Sequence, residues 1–366
     1  MSAFRPQWNR TSRRAGRRAA LALVFAIAVA AGPSLAAQVP EIDRASAERV
    51  IRVLAADDME GRDAFTPAAM RAARFIAAEF AAIGLEEIDG AGDYLQEFAV
   101  PAGGRRRPSG DGAETSDAER RLANVVGKIS GNREDEYVLF SAHYDHIGIR
   151  PAPPGEDAIA NGANDNASGT TAVIELARAF KKAGKPERTL LFAAFTAEQS
   201  GGHGSRYFSE QLDPGQIVAM FNIEMIGKPA VSGPNTAWIT GFDRSTFGRI
   251  LQEAVAGTAY EFYADPYPSQ NLFYRSDNAT LARLGVPAHT ISTTPIDVDP
   301  DYHRVSDEVE TLDLDHVTNT IRAIAAAAAT IVSGEATPTR VDPAGGRRPN
   351  FPAAASTRMD PGAEPR

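Results

Sequence analysis

The chain has no cysteine. That excludes disulfides, thiolate zinc ligands and a cysteine nucleophile, so any transition-metal site must be built from histidine and carboxylates. Histidine is scarce as well, six in 366 residues, which leaves few ways to assemble such a site. Positive charge is the minority sign: 38 Lys and Arg stand against 47 Asp and Glu, for a net charge of −9. A nucleic-acid partner is therefore not expected, whereas a cation site is. Other chemistries leave no trace. Gly201-Gly202-His203-Gly204-Ser205 is not a Gly-x-Ser-x-Gly elbow, no Walker loop or dinucleotide fingerprint follows a strand pattern, and no His-Glu-x-x-His helix occurs.

What is present suits one large α/β domain with a full core: hydrophobic residues make up 43% of the chain and charged residues 23%. The N-terminus reads as an export signal, residues 1–36. Arg10, Arg13, Arg14, Arg17 and Arg18 form a basic region, and Ala19–Ala31 is an apolar run too short to span a bilayer comfortably. Ser34-Leu35-Ala36 offers a small-x-small cleavage site. The mature protein is expected to be periplasmic or secreted, with no stable membrane association after cleavage. Residues 103–120, rich in Gly, Arg, Ser and Asp, read as an exposed insertion, and residues 334–366 as a disordered tail. That leaves 37–333 as the folded domain. The sequence carries no signal for oligomeric state.

Within the domain, helical spacing is expected from Ser46 to Ala55, with Ser46 as N-cap, and from Pro67 to Ile83, ended by Gly84. Three apolar runs share one plan. Tyr137–Ala142 ends at His143-Tyr144-Asp145-His146, Thr189–Ala197 ends at Glu198-Gln199, and Ile217–Ile223 ends at Glu224. Each is a buried-strand pattern that delivers a His or carboxylate at its C-terminal end, the edge at which open α/β sheets bind ligands. Alternation of such strands with helices predicts an α/β three-layer sandwich around a mostly parallel, mixed central sheet.

His143 and Asp145 are two apart, which on an extended segment places both on one face and suits a ligand histidine oriented by a carboxylate. Asp165, between Asn164 and Asn166 at a helix start, reads by itself first as an N-cap, although a carboxylate there can also bridge two ions. Glu198 and Gln199 are neighbours, so on an extended segment one faces a metal and the other the attacking water. Glu224 is an internal carboxylate that needs a counter-charge, from a metal or an Arg. His303 stands in a loop, Asp301-Tyr302-His303-Arg304. Spacing does not rank His146, His203, His289 or His316, although His289 suits a core and His316 a helix.

Taken together these motifs resemble the bacterial leucyl aminopeptidase family of di-zinc metallopeptidases, whose relatives include glutamate carboxypeptidase and glutaminyl cyclase. The resemblance runs from about Ser46 to Ser333. It rests on His143-Tyr144-Asp145-His146-Ile147-Gly148, Asn164-Asp165-Asn166-Ala167-Ser168-Gly169, Ala197-Glu198-Gln199 through Gly204-Ser205, Asn222-Ile223-Glu224-Met225-Ile226-Gly227 and Tyr302-His303, in that order. It implies a zinc exopeptidase that removes N-terminal residues from a peptide substrate. One zinc ion would be held by His143, Asp165 and Glu224, and a second by Asp165, position 199 and His303. Glu198 would be the general base and Asp145 the residue that orients His143. Two positions depart from the family pattern: Glu224 stands where Asp is usual, and Gln199 where a ligating Glu is usual. The neutral Gln199 implies a weak second site. It also leaves open a binding protein on the same scaffold. A glutaminyl cyclase-like activity ranks lower, because His143 is retained.

Overall fold

The computed structural model describes residues 42–89, 91–101 and 119–343. The expected export signal (1–36), most of the insertion (103–118) and residues 344–366 lie outside the described residues.

Helix α1 (Arg44–Leu54) is capped by Asp43, whose side chain accepts from the Ala45 N–H. Ser46 is therefore not the cap. It lies inside the helix, and its hydroxyl donates to Glu175 at 2.7 Å. Helix α2 (Pro67–Ile83) begins with proline at its first position, where no N–H is needed, and ends at Gly84 in the left-handed region (φ 77°). Strands β1 (Glu86–Glu87), β2 (Leu95–Pro101), β3 (Glu119–Ile129) and β4 (Arg133–His143) follow, then a small hairpin of β5 (Gly148–Ile149) and β6 (Ile159–Ala160). Next come α3 (Gly169–Ala183), β7 (Arg188–Phe195), α4 (His203–Gln211), β8 (Ile217–Ile223) and β9 (Thr236–Ile239). The chain continues through α5 (Phe247–Ala254), β10 (Glu261–Ala264), α6 (Asn278–Ala282), β11 (Ala288–Ser292) and α7 (Leu314–Val332).

Nine strands form one mixed sheet in the order β1-β3-β7-β4-β8-β11-β9-β10, with β2 also on β3. Its centre, β7-β4-β8-β11, is parallel throughout, and antiparallel pairings begin at β3 and β9. Central strands covered on both faces read as continuous apolar runs, which is why Thr189–Ala197 lacks alternation. The alternation survives in where the side chains go. Val138, Phe140, Leu190, Phe192 and Phe221 pack with α1, α2, α3, α5 and α7 on one face. Leu139, Leu191, Phe195 and Met220 pack with α4 and α6 on the other. Phe140 stacks on Phe180, Phe192 and Phe221 at 4.9–5.5 Å, a cluster that ties three strands to α3. This is the expected three-layer α/β sandwich.

Residues 334–343, expected to belong to a disordered tail, are instead held against the domain. Arg188 donates to the carbonyls of Ile331 and Ala336 and to the Thr337 hydroxyl. Arg340 caps the Pro214 and Ile217 carbonyls, and Val341 is buried in the second core. Two arginines satisfying main-chain acceptors hold this segment down, and composition alone does not reveal them. The expected insertion also ends sooner, since Glu119 and Arg120 already belong to β3.

Candidate metal centre

Strands β4, β7 and β8 are neighbours and parallel, so their C-terminal ends share one sheet edge. That edge carries His143, the Glu198-Gln199 pair and Glu224. Asp165 arrives from the turn of residues 163–168 that leads into α3, with a cis peptide to Asn166. The two flanking asparagines fix this turn to the end of β8. Asn164 accepts from the Gly227 N–H at 2.8 Å. Asn166 donates to the Ile223 carbonyl at 2.9 Å and accepts from the Met225 N–H at 3.1 Å. Asp307 accepts the N–H groups of Asn164 and Asp165 at 2.8 and 3.0 Å. Asp165 is therefore no N-cap: its carboxylate is turned away from the helix, toward the histidines.

Asp165 is the hub. Its Oδ1 lies 3.2 Å from His143 Nε2. Its Oδ2 lies 3.1 Å from His303 Nε2, 3.0 Å from the Gln199 amide and 3.6 Å from His146 Nδ1. Glu224 Oε1 is 3.9 Å from His143 Nε2, and donor atoms of His143, Asp165 and Glu224 all lie within 4.8 Å of one another. His143 Nε2 and Asp165 Oδ1 are buried and in contact, yet neither has a hydrogen-bond partner. Buried polar atoms left unpaired are costly and call for an explanation. Zinc bonds of about 2.0–2.2 Å put two ligands of a tetrahedral ion roughly 3.3–3.6 Å apart, close to the separation seen here. The donor set of imidazole and carboxylate thus fits an ion facing His143, Asp165 and Glu224.

His143 is oriented differently from expectation. Its Nδ1 is 3.0 Å from the backbone carbonyl of Asp145 and 3.8 Å from that residue's carboxylate. The Asp145 carboxylate instead accepts the N–H groups of Glu198 and Gln199 at 3.0 and 3.2 Å, fixing the turn that carries them. Because Glu198 and Gln199 lie in a turn past β7 and not on extended strand, they do not alternate. Both line the same cavity, of about 730 Å³. Glu224, Arg275, Ser276, Tyr302 and His303 line it too, with an apolar wall from Met225, Trp238, Leu272 and Ile296.

Electrostatics follow from this crowding. Burial opposes charge on Asp165, but His143, His146 and His303 hold its carboxyl well below the usual range. Burial and the charges of Glu224, Asp277 and Asp145 raise Glu198 well above the usual range, against the pull of His143. Three participants were not singled out by sequence reasoning. Asp277 is buried, and burial pushes it up to about 7 against the pull of His143 and the Ser205 hydroxyl. His146 is buried with both ring nitrogens unpaired, and burial pushes it down to about 3. Arg62 is fully buried and donates to the carbonyls of Tyr144, Leu54, Asn161 and Gly162.

The sequence pattern of peptidase family M28 matches residues 124–328, more than half of the chain. The chain belongs to this family. A probable leucine aminopeptidase of Trichophyton verrucosum is 31% identical over 56% of this chain and 56% of its own length. Leucine aminopeptidase 1 of Trichophyton rubrum is 29% identical over 61% and 62%. The chain thus spans somewhat over half the length of these curated relatives. Among solved structures, a zinc aminopeptidase from Bacillus subtilis aligns with a TM-score of 0.63 at 16% identity, covering 82% of this chain and 97% of that one. A glutaminyl cyclase from Bacteroides thetaiotaomicron aligns with a TM-score of 0.57 at 17% identity, covering 81% and 100%. At these identities the likeness is one of fold. With it, the metallopeptidase resemblance and the α/β sandwich expected from the motifs both stand.

Proposed function

We propose that the protein is an exported, zinc-dependent aminopeptidase that hydrolyses N-terminal peptide bonds. The observation that carries the reading is that Glu198 and Glu224 line one cavity, and that Glu224 lies within 4.8 Å of the His143 and Asp165 donors. His143, Asp165 and Glu224 would hold one zinc ion. Asp165, Gln199 and His303 would hold a second. When bound, zinc supplies Lewis acidity toward a carbonyl oxygen and toward water. The chain's own residues do the rest. The Glu198 carboxylate takes a proton from the attacking water and can return it to the leaving amine nitrogen. Asp145 keeps Glu198 in place through its backbone N–H and His143 in place through its own carbonyl. The apolar wall of Met225, Trp238, Leu272 and Ile296 suits an apolar N-terminal side chain and excludes water around it. Export to the periplasm or medium is supported by the basic N-terminus and the small-x-small site at Ala36. Among the described residues no helix is long and apolar enough to cross a membrane.

Hydrolysis of leucyl anilide by the zinc-loaded full chain, with and without chelator, tests this. Activity should need metal and a free α-amino group, so the N-acetyl substrate should be inert. Hydrolysis that persists in chelator would sink the metal mechanism. A second reading, a binding protein, is favoured by the neutral Gln199 alone. It wins if zinc-loaded protein cleaves no peptide and Glu198→Gln changes nothing.

A further inference from the structure

Gln199 poses a problem for the second ion. In place of a carboxylate it offers only a neutral amide oxygen, once the amide is turned from its present donation to Asp165. With His303 and the shared Asp165, that makes three donors and one negative charge. The same carboxylate oxygen has a further neighbour. His146 Nδ1 lies 3.6 Å from Asp165 Oδ2, where His303 Nε2 and the Gln199 amide also converge. Its ring centre is 5.9 Å from that of His303. With metal–nitrogen bonds near 2.0–2.1 Å, two imidazoles on one ion have centres roughly 5–6 Å apart.

The ring is held in this position from all sides. The His146 N–H reaches the Arg62 carbonyl at 3.4 Å, and residues 63 and 146 form a β-bridge. On the other flank Gly162 adopts φ 59°, and a Cβ there would fall 2.5 Å from His146 Cγ. The glycine makes room for the ring and closes it in. His146 is 2% exposed, yet both ring nitrogens lack a hydrogen-bond partner. Buried His289 bonds both of its nitrogens, to Ser245 and Thr240, while buried His316, like His146, bonds neither.

We infer that His146 is a ligand of the second metal ion, supplying through its ring nitrogen the donor that Gln199 fails to provide. The inference rests on the two-ion reading above. It makes the departure at 199 one half of an exchange in which a carboxylate is lost and a buried imidazole serves. It also predicts that positions 146 and 199 are coupled.

The test is a metal-binding cycle. Metal-free full chain is titrated with zinc or cobalt, with ions counted by mass spectrometry and cobalt sites read from visible absorption. Wild type should bind two ions. His146→Phe, which keeps a ring of similar breadth, should weaken the second ion by about 10–100-fold and leave the first unchanged. Gln199→Glu should tighten the second ion, and in that background His146→Phe should cost less than about threefold. Equal losses in both backgrounds, or no loss in wild type, would overturn the inference. Should His146→Phe not fold, X-ray absorption on wild type loaded with two zinc ions decides. Three imidazoles shared between the two ions support His146 as ligand, and two reject it. A protein that takes up only one ion, even as Gln199→Glu, instead refutes the two-ion reading itself.

Discussion

Lys228 Nζ lies 2.7 Å from the Asp301 carboxylate and also pairs with Asp299. Asp301 stands two residues ahead of His303, and Lys228 four residues after Glu224. One ion-pair cluster therefore joins the segment that carries Glu224 to the loop that carries His303. Thr293 reinforces it by donating to the Lys228 carbonyl at 2.7 Å. Lys228→Met should free the 299–303 loop while leaving the sheet edge intact. The expected result is about tenfold weaker binding of the second ion, as for other residues that orient ligands, with the His143 site unchanged. Cobalt titration of the variant reads both sites.

Glu198 is the residue on which the proposed chemistry depends most. Glu198→Gln should lower kcat by about 10²–10⁴-fold while zinc content and KM change little. Burial and the charges of Glu224 and Asp277 raise Glu198 in the metal-free protein, and the charge of bound zinc opposes them, so the acidic limb of the kcat profile should lie below the pH at which metal-free Glu198 titrates. A base works only when deprotonated, so activity rises with pH along that limb. Asp277, pushed up to about 7, is negative only above that pH, so Asp277→Asn should leave a limb below pH 7 in place. A pH–rate profile of the two proteins checks this, and a limb that moves would show that Asp277 is charged there.

Arg62 is a structural keystone beside the site. Its guanidinium serves four carbonyls, two of which, Tyr144 and Gly162, border the residues that place His143 and Asp165. Its pKa is lowered only to about 10, so it stays charged at neutral pH, balanced by Asp307, Asp145 and Asp165. Arg62→Met would leave those acceptors buried and unserved and remove the counter-charge. A loss of about 3–5 kcal/mol in unfolding free energy is expected, measurable by denaturant titration.

The parts of this architecture that could be read from sequence are those set by local patterning. Buried parallel strands announce themselves as apolar runs, and a polar residue at the end of each run falls on the shared edge. His143, Glu198 and Glu224 were visible for that reason, and Asp165 and His303 through their motifs. What escaped was tertiary. Arg62 lies in a stretch, Asp57–Asp63, whose composition suggests an ordinary polar loop, yet it is wholly buried because four carbonyls from separate segments surround it. Asp277 precedes a short helix and looks like a cap residue. Only the packing of that helix against β11 and α4 brings its carboxyl near Glu198 and Glu224. Ser46 illustrates the local limit: Asp43 is an equally good cap by type, and burial of the α1 face decides between them.

Asp277 also makes the metal-free protein's stability depend on pH. Burial raises its carboxyl from 3.8 in the unfolded chain to about 7 in the folded one, so the folded state favours the protonated form. Its stabilising share is then fully present below about pH 4 and is lost as pH rises through about 7. Glu198 and Glu224, raised by the same burial, act in the same direction. These groups lower the melting temperature of metal-free protein from pH 5 to pH 8, against the opposite slope of His146 and His289, which burial pushes down to about 3 and about 4. Asp277→Asn, neutral at both, should flatten that fall and melt higher than wild type at pH 8. Zinc, which neutralises the neighbouring carboxylates on binding the folded form, should restore stability at pH 8 more than at pH 5, where protons compete for the ligands. Differential scanning calorimetry of both proteins, with and without zinc, tests the sign. A wild-type profile no steeper than that of Asp277→Asn would show that Asp277 is ionised and well solvated in the folded state.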